Sequence, residues 1–134
     1  MGTVLVVDDD PTVRTVVARL IKLEGHVVLE AEDGRVALRL MADRDIDLAL
    51  VDIYMPEMDG IELLMRLRGD FPRTRVVAMS GGGPVPASHV LDVATLLGAT
   101  DVLQKPFGPD DVRAHLRALG RGSEDPPADV TPSG

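Results

Sequence analysis

The 134-residue chain carries 22 Asp and Glu against 14 Lys and Arg, a formal net charge of -8. So acidic a surface repels phosphate backbones and anionic lipid, which argues against direct nucleic-acid or membrane binding. There is no cysteine, which excludes disulfides, thiolate metal sites and Cys nucleophiles. Tyr54, Phe71 and Phe107 are the only aromatic residues, so the core must come from Val, Leu, Ile, Ala and Met, and the length suits one domain.

The chain goes straight into an apolar run, Val4-Leu5-Val6-Val7, with no basic and apolar leader before it. No stretch approaches the roughly 20 apolar residues of a membrane span. A soluble, cytoplasmic protein is the expectation. The opening run predicts a strand over 3–7 that stops at Asp8 and Asp9. Val13, Val16, Val17 and Leu20 follow at i, i+3, i+4 and i+7, the stripe of an amphipathic helix, with Asp10 as its cap, Pro11 in its first turn and Gly25 after its end. The weakest strand signal spans 26–30. Asp33 then caps a second helix carrying Val36, Ala37, Leu40 and Met41.

A third strand, 47–51, is wholly apolar over Leu48-Ala49-Leu50-Val51 and stops at Asp52. Gly60 opens a third helix with Ile61, Leu64 and Leu67. The fourth strand, 75–79, ends at Ser80. A fourth helix over about 87–97 turns Val90, Leu91, Ala94 and Leu97 inward. The fifth strand, 101–104, runs up to Lys105, and a fifth helix opens at Pro109 with Val112, Leu116 and Leu119. Strands alternating with helices in this way give an α/β, doubly wound five-stranded parallel sheet with helices on both faces. The domain spans 1–120. Residues 121–134 are Pro-rich, polar and aperiodic, and read as a disordered tail.

Asp8 with Asp9, Asp52, Ser80 and Lys105 therefore converge on the carboxyl edge of one sheet, where open α/β folds bind ligands. Clustered carboxylates resist ionising together unless a cation intervenes, and a set with no His or Cys suits a hard cation, Mg2+ first. A cation beside a carboxylate and a lysine makes a phosphoryl pocket, in which Asp52 can become an aspartyl phosphate and Ser80 can bond a phosphoryl oxygen. Singly, each residue has an ordinary explanation: a turn for Asp52, a cap for Asp10, a loop start for Ser80, a surface position for Lys105. Their coincidence at four strand ends does not. His26, His89 and His115 share no ligand spacing, and Gly81-Gly82-Gly83 lacks the Lys-Ser/Thr of a P-loop.

The segments Val-Leu-Val-Val-Asp-Asp-Asp-Pro (4–11), Val-Asp-Ile-Tyr-Met-Pro-Glu-Met-Asp-Gly (51–60), Ala-Met-Ser-Gly-Gly (78–82) and Leu-Gln-Lys-Pro-Phe (103–107) resemble the receiver domain of two-component response regulators, over residues 3 to about 119. The resemblance implies a CheY-like, flavodoxin-like sheet of strand order 2-1-3-4-5. It implies Mg2+ on Asp8, Asp9, Asp52 and the Tyr54 backbone carbonyl, Asp52 as acceptor of phosphoryl from a kinase phosphohistidine, and Ser80 and Lys105 on the phosphoryl group. It further implies a cis Lys105-Pro106 peptide and a tight turn at Gly60. The output surface would be the fourth helix, fifth strand and fifth helix, also a face for dimers. Such a domain catalyses only its own phosphorylation and dephosphorylation.

Two positions depart from the pattern. Val102 replaces the Tyr or Phe that in receivers turns inward on activation, so either the signal passes through the Ser80 loop and backbone shifts in the fourth helix and fifth strand, or the output surface works differently. Tyr54 is bulky where water reaches the acyl phosphate, which predicts slow hydrolysis. With no effector domain after Lys105, the chain is expected to act through a histidine kinase, a phosphotransfer protein or a protein target, either alone or as a piece of a longer regulator. One rival enzyme remains: Asp8-Asp9-Asp10-Pro11-Thr12 fits Asp-x-Asp-x-Thr, the nucleophile motif of haloacid-dehalogenase-type phosphatases, but leaves Asp52 unexplained. The other alternative is a binding module that keeps the fold without phosphorylation.

Overall fold

The structure is a computed structural model and describes residues 2–53, 60–80, 92, 95, 98–104 and 107–124, the last six without their side chains. In chain order it contains β1 (Thr3–Val7), α1 (Pro11–Leu23), β2 (Val27–Ala31), α2 (Gly34–Asp43), β3 (Leu48–Asp52), α3 (Gly60–Asp70), β4 (Arg75–Ser80), β5 (Asp101–Gln104) and α4 (Pro109–Glu124). The last of these is the fifth helix predicted. Of the fourth, 87–97, only Asp92 and Thr95 are among the described residues, and both are helical.

All four strand pairings are parallel, and the sheet order is β2-β1-β3-β4-β5. Side chains alternate across it. Leu5, Val7, Ala49, Val51, Val76 and Ala78 face α2 and α3, where Ala37, Met41, Leu63, Leu64 and Leu67 close the first core. Val4, Val6, Leu48, Leu50, Val77 and Met79 face α1 and α4, where Val17, Ile21, Val112 and Leu116 close the second. Burial on both faces explains why the central strands read as unbroken apolar runs. Removing a residue such as Leu50 from water contributes about 1.5–3 kcal/mol.

The caps form as the residue types require. Asp10 accepts hydrogen bonds from the Thr12 and Val13 amides, Asp33 accepts from that of Val36, and Gly25 ends the α1 turn at φ 90°. Arg113 ties α4 to α1 through Glu24 (2.9 Å) and bonds Asp110 on its own helix (3.0 Å); the Glu24 bond, then that of Asp110, raises its pKa above the ordinary value.

Three details differ from expectation. Val16, placed on the inward stripe of α1, is 62% exposed, while Val17 and Ile21 are buried. The buried stripe of Val17, Ala18 and Ile21 spans about 100°, and Val16, a further 100° before Val17, falls outside it. Strands β2 and β3 are each displaced one residue onward from 26–30 and 47–51, so Asp52 is the last residue of β3 rather than the first after it. Finally, α4 continues to Glu124, beyond Leu119 and into the segment assigned to the tail. Propagating an established helix costs little compared with nucleating one. Residues 125–134 lie outside the described set.

Candidate functional site

The register brings the predicted carboxylates to one place. Val7 pairs with Val51, so Asp8 and Asp52 leave adjacent strands side by side. One carboxylate oxygen from each of Asp8, Asp9 and Asp52 lies within 4.8 Å of the other two. Asp8 is fully buried and Asp52 is 5% exposed, whereas Asp9 is open to solvent. Three carboxylate oxygens this close together are within reach of a single cation. An all-oxygen set with one solvent-facing member fits a hard divalent cation that keeps some of its water.

Three contacts of Asp8 fix its backbone and side chain. Its amide donates to the Ala31 carbonyl (3.2 Å), its Oδ1 accepts from the Asp10 amide (2.9 Å), and its carbonyl accepts from Arg14 Nη1 (2.7 Å). Arg14 Nε in turn donates to Glu30 Oε1 at 3.3 Å. On the other side, the Ile53 amide donates to the Met79 carbonyl (3.0 Å) and extends the ladder one residue past Asp52. Gly60 presses on the same backbone: a Cβ there would overlap Ile53 Cα and the Asp52 carbonyl oxygen and lie 2.8 Å from the Ile53 carbonyl carbon. Gly60 therefore serves a close approach. Among the described residues only Gly25 and Gly98 have a positive φ, so the freedom expected of Gly60 in a tight turn is not what it supplies here.

Ser80 ends β4 one residue beyond the Asp52–Met79 pair. It is fully buried, and its Oγ has no hydrogen-bond partner among the described residues. A buried hydroxyl without a partner costs about 1–3 kcal/mol. Such a cost is tolerated where an arriving ligand relieves it. A groove of about 680 Å³ lies elsewhere, at the amino ends of β3 and β4, between the segments Met41–Asp47 and Asp70–Thr74. It shares no residue with the carboxylate cluster.

Comparison with known proteins gives this geometry a context. Residues 4–117 match the response regulator receiver domain. The chain belongs to that family. Among curated relatives it is 38% identical to the transcriptional regulatory protein TcrA of Mycobacterium tuberculosis, over 88% of this chain and 46% of TcrA. It is also 38% identical to the transcriptional regulatory protein CpxR of Escherichia coli, over 92% of this chain and 51% of CpxR. The chain thus spans about half the length of the curated relatives it matches. The crystal structure of the receiver domain of NtrX from Brucella abortus superposes with a TM-score of 0.79 at 32% identity, covering 87% of this chain and 96% of that domain. The fold expected of a receiver, five parallel strands in the order 2-1-3-4-5, is the one observed.

Of the residues singled out in the sequence, Asp8, Asp9 and Asp52 meet, and Ser80 stands at the neighbouring strand end. Lys105 and Tyr54 fall outside the described residues, as does the Lys105-Pro106 peptide. Val102 is half-buried against the α2–α3 side of the sheet. Asp10, third in the phosphatase-like motif, is occupied as the α1 cap. Arg14 was missed. Its position on the polar side of α1 gives no periodic signal, and only the pairing of β1 with β2 brings Glu30 and the Asp8 carbonyl to it.

Proposed function

We propose that this receiver is the phosphoryl-accepting switch of a two-component system, with Asp52 as the acceptor. The observation that carries the reading is the meeting of three carboxylates at the carboxyl edge of the sheet, next to a buried hydroxyl with no partner among the described residues. Mg2+ bound by Asp8, Asp9, Asp52 and the Tyr54 carbonyl would supply the positive charge that phosphoryl transfer needs. The remaining steps belong to the chain. An Asp52 carboxylate oxygen attacks the phosphorus of a partner's phosphohistidine. The O–P bond forms as the P–N bond breaks, and the electron pair leaves on the imidazole nitrogen, which takes up a proton. The Ser80 hydroxyl turns its proton to a phosphoryl oxygen, and Lys105 offsets the equatorial charge.

The donor in this reading is a sensor histidine kinase or phosphotransfer protein. The readout is a protein target that binds the output surface expected of a receiver, which includes β5 and α4, either on a stand-alone receiver in the cytoplasm or on part of a longer regulator. Among the described residues no helix is long and apolar enough to cross a membrane. As a regulatory domain it turns over no substrate beyond its own acyl phosphate.

Incubation with Mg2+ and acetyl phosphate, followed by intact-mass measurement, tests the reading. One added phosphoryl group on the wild type and none on Asp52→Asn is expected; equal adducts on both would refute it. In the same assay Tyr54→Asn should shorten the phosphoryl half-life, by admitting water to the acyl phosphate. An unchanged half-life would remove that role from Tyr54.

A further inference from the structure

The Asp8–Asp9 peptide lies just past the end of β1, beyond the last ladder pairs Val7↔Ala31 and Val7↔Val51. A carbonyl in such a stretch needs a donor from elsewhere. Arg14 supplies it at 2.7 Å from the second turn of α1. The same guanidinium donates to Glu30 on β2, and the Arg14 side chain is only 18% exposed. Because the guanidinium is planar and presents its donors in a fixed fork, two acceptors on different elements fix its orientation. The peptide is therefore held through its carbonyl by Arg14, while the Asp8 amide is held by Ala31.

That peptide also sets where Asp9 points. Asp9 is exposed, so no packing behind it opposes the repulsion from Asp8 and Asp52. Rotation of the Asp8–Asp9 peptide would carry the Asp9 carboxylate away from the other two. We infer that Arg14, clamped by Glu30, is a positioning residue that keeps the Asp8 and Asp9 carboxylates converged on Asp52 for a divalent cation. The inference rests on the metal reading proposed above.

The sign of the effect on metal affinity separates positioning from plain electrostatics. Removing a positive charge near an acidic cluster should, by Coulomb's law alone, tighten a cation. Loss of positioning should weaken it. Residues that orient metal ligands cost about 10–100-fold in affinity when they are removed. Isothermal titration with Mg2+ alone, without any phosphoryl donor, is the test. Arg14→Met keeps much of the side-chain bulk without a donor, and should bind Mg2+ at least about tenfold more weakly than the wild type. Arg14→Lys, which keeps one donor for the Asp8 carbonyl, should recover part of that loss.

A merely structural strap between α1 and β2 would lower the metal-free melting temperature and leave the affinity of the folded protein where it was. Unchanged or tighter Mg2+ binding by Arg14→Met overturns the inference. If that variant does not fold, Glu30→Ala and Glu30→Gln carry the test together: both lose the charge and only glutamine keeps an acceptor for Arg14, so weaker Mg2+ binding by Glu30→Ala than by Glu30→Gln supports the clamp, and equal binding by the two overturns it. A wild type that binds no Mg2+ overturns the metal reading with it, whereas wild-type binding with an indifferent Arg14→Met overturns the positioning role alone.

Discussion

Gly60→Ala is expected to lower stability by about 3 kcal/mol and to abolish phosphoryl uptake in the fraction that still folds. The added methyl has nowhere to go, because its neighbours are backbone: Ile53 Cα, the Ile53 carbonyl carbon and the Asp52 carbonyl oxygen. Overpacking against a side chain can be relieved by a change of rotamer. Here relief requires α3 to move off the sheet or the Asp52–Ile53 peptide to shift, and either displaces the acceptor carboxylate from Asp8 and Asp9. Thermal unfolding should show the midpoint falling by roughly 10 °C. The acetyl phosphate assay, run below that midpoint, should show no adduct. A variant with wild-type stability and wild-type uptake would contradict the close approach. Gly69, where a Cβ would meet nothing within 4 Å, is the internal control and should accept alanine.

Asp8→Asn is expected to remove the stabilisation that Mg2+ confers and to lower phosphoryl uptake by at least about tenfold. Binding to the folded state alone stabilises by RT ln(1 + [L]/Kd), about 2.7 kcal/mol at a hundredfold excess over Kd. The wild-type unfolding midpoint should rise accordingly with added Mg2+, and that of Asp8→Asn should stay nearly flat. Asparagine keeps an oxygen that can accept from the Asp10 amide, so the local turn survives. It also removes one of three clustered charges, which relieves repulsion within the site. A Mg2+ response equal to that of the wild type would take Asp8 out of the metal site.

The fold was legible because its signals are local or periodic. Strands buried on both faces are runs of Val, Leu and Ala, and the helices between them declare their starts with Asp10, Asp33 and Pro109. The site was legible for a related reason. In a parallel sheet every strand delivers its last residue to the same edge, so polar residues that end apolar runs, as at Asp8, Asp52 and Ser80, are placed together by topology alone.

What stayed hidden depends on three-dimensional proximity. Arg14 occupies an ordinary helix-surface position, and its acceptors, the Asp8 carbonyl and Glu30, leave no pattern in the sequence. Gly60 carries only a turn signal in the sequence, since a clash with backbone seven and eight residues earlier cannot be read from composition. Val16 satisfied the 3.6-residue period and still faces solvent, because periodicity gives the direction of a stripe and not its width. The segment 121–124 lacks apolar residues that would mark a helix, and is carried along by the helix before it.

The central claim is that Asp52, and no other carboxylate of the cluster, becomes the acyl phosphate. Borohydride reduces an aspartyl phosphate to homoserine, so treating the acetyl phosphate–Mg2+ reaction with borohydride and mapping the peptides by mass spectrometry reads the nucleophile directly. Homoserine at position 52 is the predicted result. Homoserine at position 8, with Asp52 intact, would contradict the account and make Asp8 the nucleophile, as the phosphatase-like motif at 8–12 requires.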